Sequence, residues 1–198
     1  MCQLLETIKL EDGQLFNLDY HNRRMNAARR ELFGTLPPVD LREIIQVPGS
    51  CIDGLYRCRI VYSENIESIE FFPQQERSFT SLKLVSCGNI DYHLKYTDRR
   101  LLNELYAQRG DADEIIIVSN GKITDCSIGN LLFFDGESWV TPAEPLLKGT
   151  QRQKLLETGH IQEEFITVDD LQNYKKAGII NAFFDLKNMP IIEIRNIS

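Results

Sequence analysis

The sequence predicts a mixed α/β (α+β) protein built as two domains, and three observations lead there. Strand-like runs recur at residues 2–10, 54–62, 66–72, 81–87 and 113–118. Apolar residues at helical spacing separate them at Asp19–Phe33 and Arg99–Arg109. A polar, mixed stretch at Gln74–Phe79 then marks a boundary, giving domains 1–76 and 77–198 in a chain of 198 residues.

The elements follow in order. Cys2–Leu10 and Gln14–Asn17 flank Glu11-Asp12-Gly13, and Asp-Gly between strand-like runs predicts a hairpin. Asp19 is the expected N-cap of a helix over Asp19–Phe33, with Met25, Ala28, Leu32 and Phe33 as its apolar stripe and Gly34 as its stop. That helix carries Arg23, Arg24, Arg29 and Arg30, which suits a solvated face or an arginine that grips an anion with forked hydrogen bonds. A short helix is expected over Val39–Gln46, started near Asp40. Gly54–Tyr62 and Ile66–Phe72 pair as a second hairpin through Ser63–Asn65.

The second domain is predicted to open on a strand at Ser81–Cys87. Lys95 precedes the helix Arg99–Arg109, for which Asp98 is the expected cap. Asp113–Val118 turns at Ser119-Asn120-Gly121 into Gly121–Phe134, GKITDCSIGNLLFF, read as a hairpin-like pair of short strands. Its corner holds Asp125 beside apolar runs, where a carboxylate is costly unless partnered. A backbone cap or a positive group on a bound cofactor would serve. Lys148-Gly149-Thr150 leads into a helix at Gln151–Thr158, whose first N–H groups have no partner within the helix and suit an anion. Strands are expected at Trp139–Pro142, Phe165–Val168, Gly178–Asp185 and Pro190–Ile194, with a short helix at Asp169–Tyr174.

Composition narrows the function classes. A net charge of −7 argues against a general nucleic-acid surface. No apolar run reaches membrane-spanning length, and the start lacks the basic end of a signal peptide. Five cysteines without CxxC spacing and three scattered histidines favour neither disulfides nor a metal site, consistent with a reducing cytoplasm.

Six short patterns then fall in a shared order. They are LETI at Leu5–Ile8; Leu18, His21 and Arg24 as L-x-x-H-x-x-R; LKYTDR at Leu94–Arg99; ITDCSIGNLLF around Asp125; GTQRQ at Gly149–Gln153; and INAFFDL at Ile180–Leu186. Together they resemble the class IV aminotransferase family, the fold-type IV enzymes that use pyridoxal 5′-phosphate. The resemblance spans nearly the whole chain. It implies a small N-terminal α/β sandwich, a C-terminal α/β barrel-like domain, a cofactor in the cleft between them, and a homodimer.

The resemblance also implies roles. Lys95 matches the lysine that bonds the cofactor and shuttles protons, and Asp125 the acid facing the ring nitrogen. Arg24, Thr150 and Gln151 match the phosphate site, with Asn181 and Ala182 as a second contact. Arg99 and Arg152 are the arginines left for a substrate carboxylate. Three departures stand out: Asp125 replaces a glutamate, Asp98 replaces an asparagine, and Ser63-Glu64-Asn65 stands where relatives carry a carboxylate-gripping arginine. HLKYTDR and GTQRQ look closer to aminodeoxychorismate lyases than to branched-chain aminotransferases. The expected reaction is therefore release of 4-aminobenzoate and pyruvate from 4-amino-4-deoxychorismate, a step of folate biosynthesis. Transamination of branched-chain or D-amino acids, and cofactor binding without turnover, are the alternatives.

Overall fold

Along β1 (Leu4–Glu11), Leu4, Glu6, Ile8 and Leu10 share one side of the strand, because side chains alternate with a period of two. All four are buried, so a carboxylate lies among three aliphatic side chains. The structure, a computed structural model, describes residues 2–75 and 77–198. Two units divide the chain: Met1–Glu76 with Leu94–Asp98, and Arg77–His93 with Arg99–Ser198.

In the first unit, Asp12 and Gly13 take φ of 47° and 76°, the doubly left-handed geometry of a tight hairpin, and return β1 to β2 (Gln14–Leu15). Next come α1 (Leu18–Phe33), α2 (Leu41–Ile44), β3 (Leu55–Tyr62) and β4 (Ile66–Pro73). The sheet order is β2-β1-β3-β4, all antiparallel, with Leu4 opposite Tyr62 and Glu6 opposite Ile60. Met25 and Ala28 of α1 join Leu4, Ile8, Cys58 and Ile60 in its core.

Asn17, left-handed at φ 56°, precedes α1 in place of the expected cap Asp19, whose carboxylate instead accepts a hydrogen bond from Arg42. Asp40 caps α2 by accepting from the Arg42 N–H. Arg29 is buried rather than on a solvated face. It donates to the carbonyls of Glu64 and Pro37 and to Asn26 Oδ1, clamping the Ser63–Asn65 turn.

The second unit begins with β5 (Leu82–Cys87), α3 (Arg100–Tyr106) and β6 (Glu114–Ser119), with β5 and β6 parallel. β7 (Lys122–Ile123) folds back on β6 through Asn120-Gly121, completing a three-stranded sheet. Then follow β8 (Asn130–Phe134), β9 (Trp139–Pro142), α4 (Thr150–Glu157), β10 (Gln162–Glu164), β11 (Lys176–Ile180) and β12 (Ile191–Glu193). These five strands form the order β10-β9-β8-β11-β12. Single bridges, Leu82 with Ile197 and Lys122 with Thr167, tie the three-stranded sheet to the stretches that follow β12 and β10. Leu131 and Phe133 of β8 and Ile179 of β11 are fully buried in a core shared with Ile116 and Val118 of β6. No helix of the described residues is long and apolar enough to cross a membrane.

Four expectations change on inspection of the backbone. Gly121–Phe134 is not a hairpin: β7 belongs to one sheet and β8 to the other, and the stretch between them is the corner, closed by an Asp125–Asn130 bridge. Arg99, not Asp98, occupies the N-cap of α3. Residues 165–168 are not a strand. β10 lies just before them, Phe165 is 65% exposed, and Asp170 accepts from Thr167 to make a turn. The run from Gly178 stops at Ile180, because Asn181 Oδ1 accepts from the N–H groups of Phe183 and Phe184 and curls the chain.

Candidate functional site

Lys95, which the sequence reading assigned to the second domain, packs with the first unit. Its carbonyl accepts from the Leu5 N–H at 2.9 Å, the Thr97 N–H donates to the Gln3 carbonyl at 3.0 Å, and Tyr96 bridges Leu4 antiparallel. The lysine backbone is thus an extra rung on the free edge of β1, one residue from Glu6.

Glu6 is the hub of that unit. Arg24 approaches it with a fork, Nε to Oε1 at 2.9 Å and Nη2 to Oε2 at 2.5 Å, and His21 Nδ1 meets Oε2 at 2.6 Å. Burial pushes the Glu6 carboxyl up, but the Arg24 charge and the hydrogen bonds from His21 and Arg24 outweigh it and hold the acid at about 2. Since an ionised carboxylate only accepts, His21 Nδ1 carries the proton. Burial lowers the His21 pKa, against the pull of Glu6, and the charges of Arg24 and Lys95 push it the same way. The fork that the sequence reading gave to an anion is occupied by Glu6, which fixes the plane of the Arg24 guanidinium.

In the second unit the corner at residues 125–130 gathers three distant segments. Asp125 is 5% exposed. Asn130 Nδ2 donates to its Oδ1 at 2.8 Å and the Leu147 N–H to its Oδ2 at 2.9 Å, so neutral donors hold both oxygens. Burial therefore dominates and pushes its pKa up to about 7, opposed by those bonds and by the Arg152 charge.

Thr150 and Gln151, both buried, open α4 behind its N-cap Gly149. A Cβ at Gly149 would lie 2.1 Å from Asn130 Oδ1, so only glycine fits between the corner and the helix. A Cβ at Gly129 would lie 2.3 Å from the Ile180 carbonyl oxygen, a comparably close approach to β11 and Asn181. Gly129→Ala is expected to cost roughly 1–3 kcal/mol by forcing that backbone apart. Urea unfolding of the cofactor-free protein checks this, and an unchanged midpoint would contradict the packing.

The remaining residues separate by environment. Asn181 caps the turn after β11 and reaches the Ile128 carbonyl at 3.4 Å, with Ala182 next in that turn. Arg152 is 1% exposed, and its Nη2 donates to the Pro142 carbonyl and to Glu163. Arg99 donates to the Ser127 carbonyl at 2.7 Å. Both arginines thus have structural partners at the positions proposed for a substrate carboxylate. Among the described residues no group of three His, Cys, Asp or Glu side chains could hold a metal ion.

Sequence reasoning missed Glu6 and Asn130 as site residues. The signal for Glu6 was its place on the apolar side of β1. For Asn130 it was its place five residues after Asp125 in TDCSIGN; its approach to Gly149 shows only once the corner folds.

The model of the family described as amino-transferase class IV matches residues 93–194, about half the chain, and includes Lys95, Asp125 and the Gly149 turn. An uncharacterised protein of Haemophilus influenzae is 45% identical over 184 residues, 92% of this chain and 98% of that protein. The chain belongs to the class IV aminotransferase family. These are enzymes of the pyridoxal-phosphate-dependent type.

Within the family, a candidate 4-amino-4-deoxychorismate lyase from Haemophilus somnus is 41% identical, with a TM-score of 0.89 over 94% of this chain and 98% of its own. A hypothetical aminotransferase from Mycobacterium tuberculosis, in a form with pyridoxal phosphate bound, shares the fold at 19% identity and a TM-score of 0.79, over 100% of this chain and 81% of its own.

Proposed function

We propose that this class IV aminotransferase family member is a lyase that converts 4-amino-4-deoxychorismate to 4-aminobenzoate and pyruvate, with pyridoxal 5′-phosphate held by Lys95, Arg24, Asp125, Thr150, Gln151, Asn181 and Ala182. One observation carries the cofactor part: a buried acid whose oxygens, among the described residues, accept hydrogen bonds from neutral donors, fixed beside a glycine-led helix N-terminus. Among the described residues no cation hydrogen-bonds this carboxylate, although the Arg152 charge acts on it, and a protonated ring nitrogen would supply one. The α4 N–H groups suit a phosphate. The residues therefore fit the group. The likeness to the Haemophilus somnus protein favours the lyase over a transaminase.

Bound pyridoxal phosphate supplies an electron sink for the bonds broken at the substrate. The chain supplies the rest. Lys95 would hold the cofactor through its amine and give way to the substrate amine. Its freed amine would serve as the base that takes a proton from the substrate ring carbon and as the acid that returns one to the leaving pyruvate, which would leave the ring aromatic. Asp125 would supply a negative charge for the ring nitrogen, and Arg24, its plane fixed by Glu6, would bind the phosphate. Arg99 and Arg152 steady this site through Ser127 and Glu163 rather than gripping substrate. We infer a cytoplasmic homodimer; five free thiols, three of them buried, suit that compartment.

The wild-type protein is expected to take up pyridoxal phosphate and turn yellow, and Lys95→Ala to lose both the visible band and turnover. Release of 4-aminobenzoate from aminodeoxychorismate, without keto acid from a panel of amino acids, is the expected assay result. Keto acid without 4-aminobenzoate would make it a transaminase. Sedimentation should give about twice the chain mass of 22.9 kDa.

A further inference from the structure

We propose that Asn130 is a positioning residue that ties the acid at Asp125 to the anion-binding start of α4, so that one side chain sets both ends of the bound cofactor. This deepens the cofactor reading above and rests on it.

Asn130 is 4% exposed and stands at the first position of β8. Its amide nitrogen has two hydrogens, and both are used: one on Asp125 Oδ1 and one on the Leu147 carbonyl, each at 2.8 Å. The Leu147 N–H closes the circuit onto Asp125 Oδ2 at 2.9 Å. With the nitrogen committed to two acceptors, the amide cannot be turned over, so Oδ1 must point the other way. It points at Gly149, where any Cβ would meet it at 2.1 Å.

Gly149 is the residue whose carbonyl accepts the first bond of α4, from Gln153 at 2.9 Å, and the next N–H groups are those of Thr150 and Gln151. The amide is therefore wedged between the acid and the helix start, donating to one and abutting the other. A shift of the helix start pushes on Oδ1 and is felt by the Nδ2 bond to the acid, because the planar amide moves as one body.

A merely structural asparagine would tie two loops together and affect stability alone. The coupling predicts more, and Gly149→Ala in the full-length, cofactor-free protein tests it. Although remote from the acid, that methyl should drive Asn130 off Asp125. The Asp125 titration midpoint, followed by carbon-13 NMR of its carboxyl, should rise by about one pH unit, the worth of one charge-assisted hydrogen bond. Affinity for inorganic phosphate, measured by calorimetry, should fall about tenfold. Asn130→Ala should give the same two changes. In the double variant, where the clash is gone, Gly149→Ala should add less than about twofold to the phosphate loss.

An Asp125 midpoint unmoved by Gly149→Ala overturns the proposal, as do fully additive effects in the double variant. Should Asn130→Ala not fold, the Gly149→Ala titration decides alone. None of these readings uses loaded enzyme. Failure of wild type to take up pyridoxal phosphate would instead sink the cofactor reading, a separate outcome.

Discussion

Glu6→Ala is expected to destabilise the protein by roughly 3–5 kcal/mol, because it strips a buried charge cluster of the carboxylate that pairs with Arg24 and His21. Glu6 is fully buried and Arg24 largely so, so little solvent screens the loss. Glu6→Gln keeps the shape but not the charge, and should cost less than the alanine and more than a surface substitution. The pH dependence has a definite sign. The folded-state pKa of Glu6 is depressed from 4.5 to about 2, so its contribution is complete above pH 4.5 and is lost as pH falls through 2. That window is worth about 3 kcal/mol at ~1.4 kcal/mol per unit. Guanidinium unfolding from pH 2 to 6 checks it: wild type should lose stability on acidification and Glu6→Gln should lose much less of it. Equal slopes would mean that the fork carries no net stabilisation. Because the same carboxylate orients Arg24, Glu6→Gln should also weaken cofactor uptake.

Much of the fold was legible because local chemistry agreed with global packing. Asp12-Gly13 supplies the two left-handed residues a tight hairpin needs, and the alternation of Leu55–Tyr62 survives as a strand whose register pairs it on both sides. The misreadings share one cause. Asp19, Asp98 and Phe165–Val168 were judged on local propensity, and in each case a tertiary partner or a neighbouring turn took precedence: Arg42 draws Asp19, Arg99 takes the cap, and Asp170 bends the chain after Phe165. Lys95 was harder. Its neighbours in sequence belong to the second unit, yet its backbone completes the edge of β1 some ninety residues earlier, a pairing that no local pattern reveals. The site was legible as residue types in order. Its supports were not, since Glu6 and Asn130 act through contacts made by residues 18 and 19 positions away.

Asp125 carries the opposite linkage to Glu6, and the contrast is the sharper test of the site. Its folded-state pKa is raised from 3.8 to about 7, so the folded protein binds a proton that the unfolded chain has released. The associated stability is complete below pH 3.8, drains away as pH rises, and is gone above 7, a loss of about 4 kcal/mol. Urea unfolding of the cofactor-free protein should therefore show stability falling between pH 4 and 7. Asp125→Asn, which has no proton to release, should flatten that limb and leave the variant more stable than wild type at pH 8 but less stable at pH 4, where its amide faces two donors. A variant with the wild-type slope would place the titration elsewhere. A cation opposite the carboxylate reverses the argument: with the ring nitrogen's charge in place the ionised acid is the favoured form, so pyridoxal phosphate should restore stability most at pH 7–8 and hardly at pH 4. A strained acid in the empty protein thus becomes part of the affinity for the cofactor, and Asp125→Asn should lose that pH-dependent share of binding together with turnover.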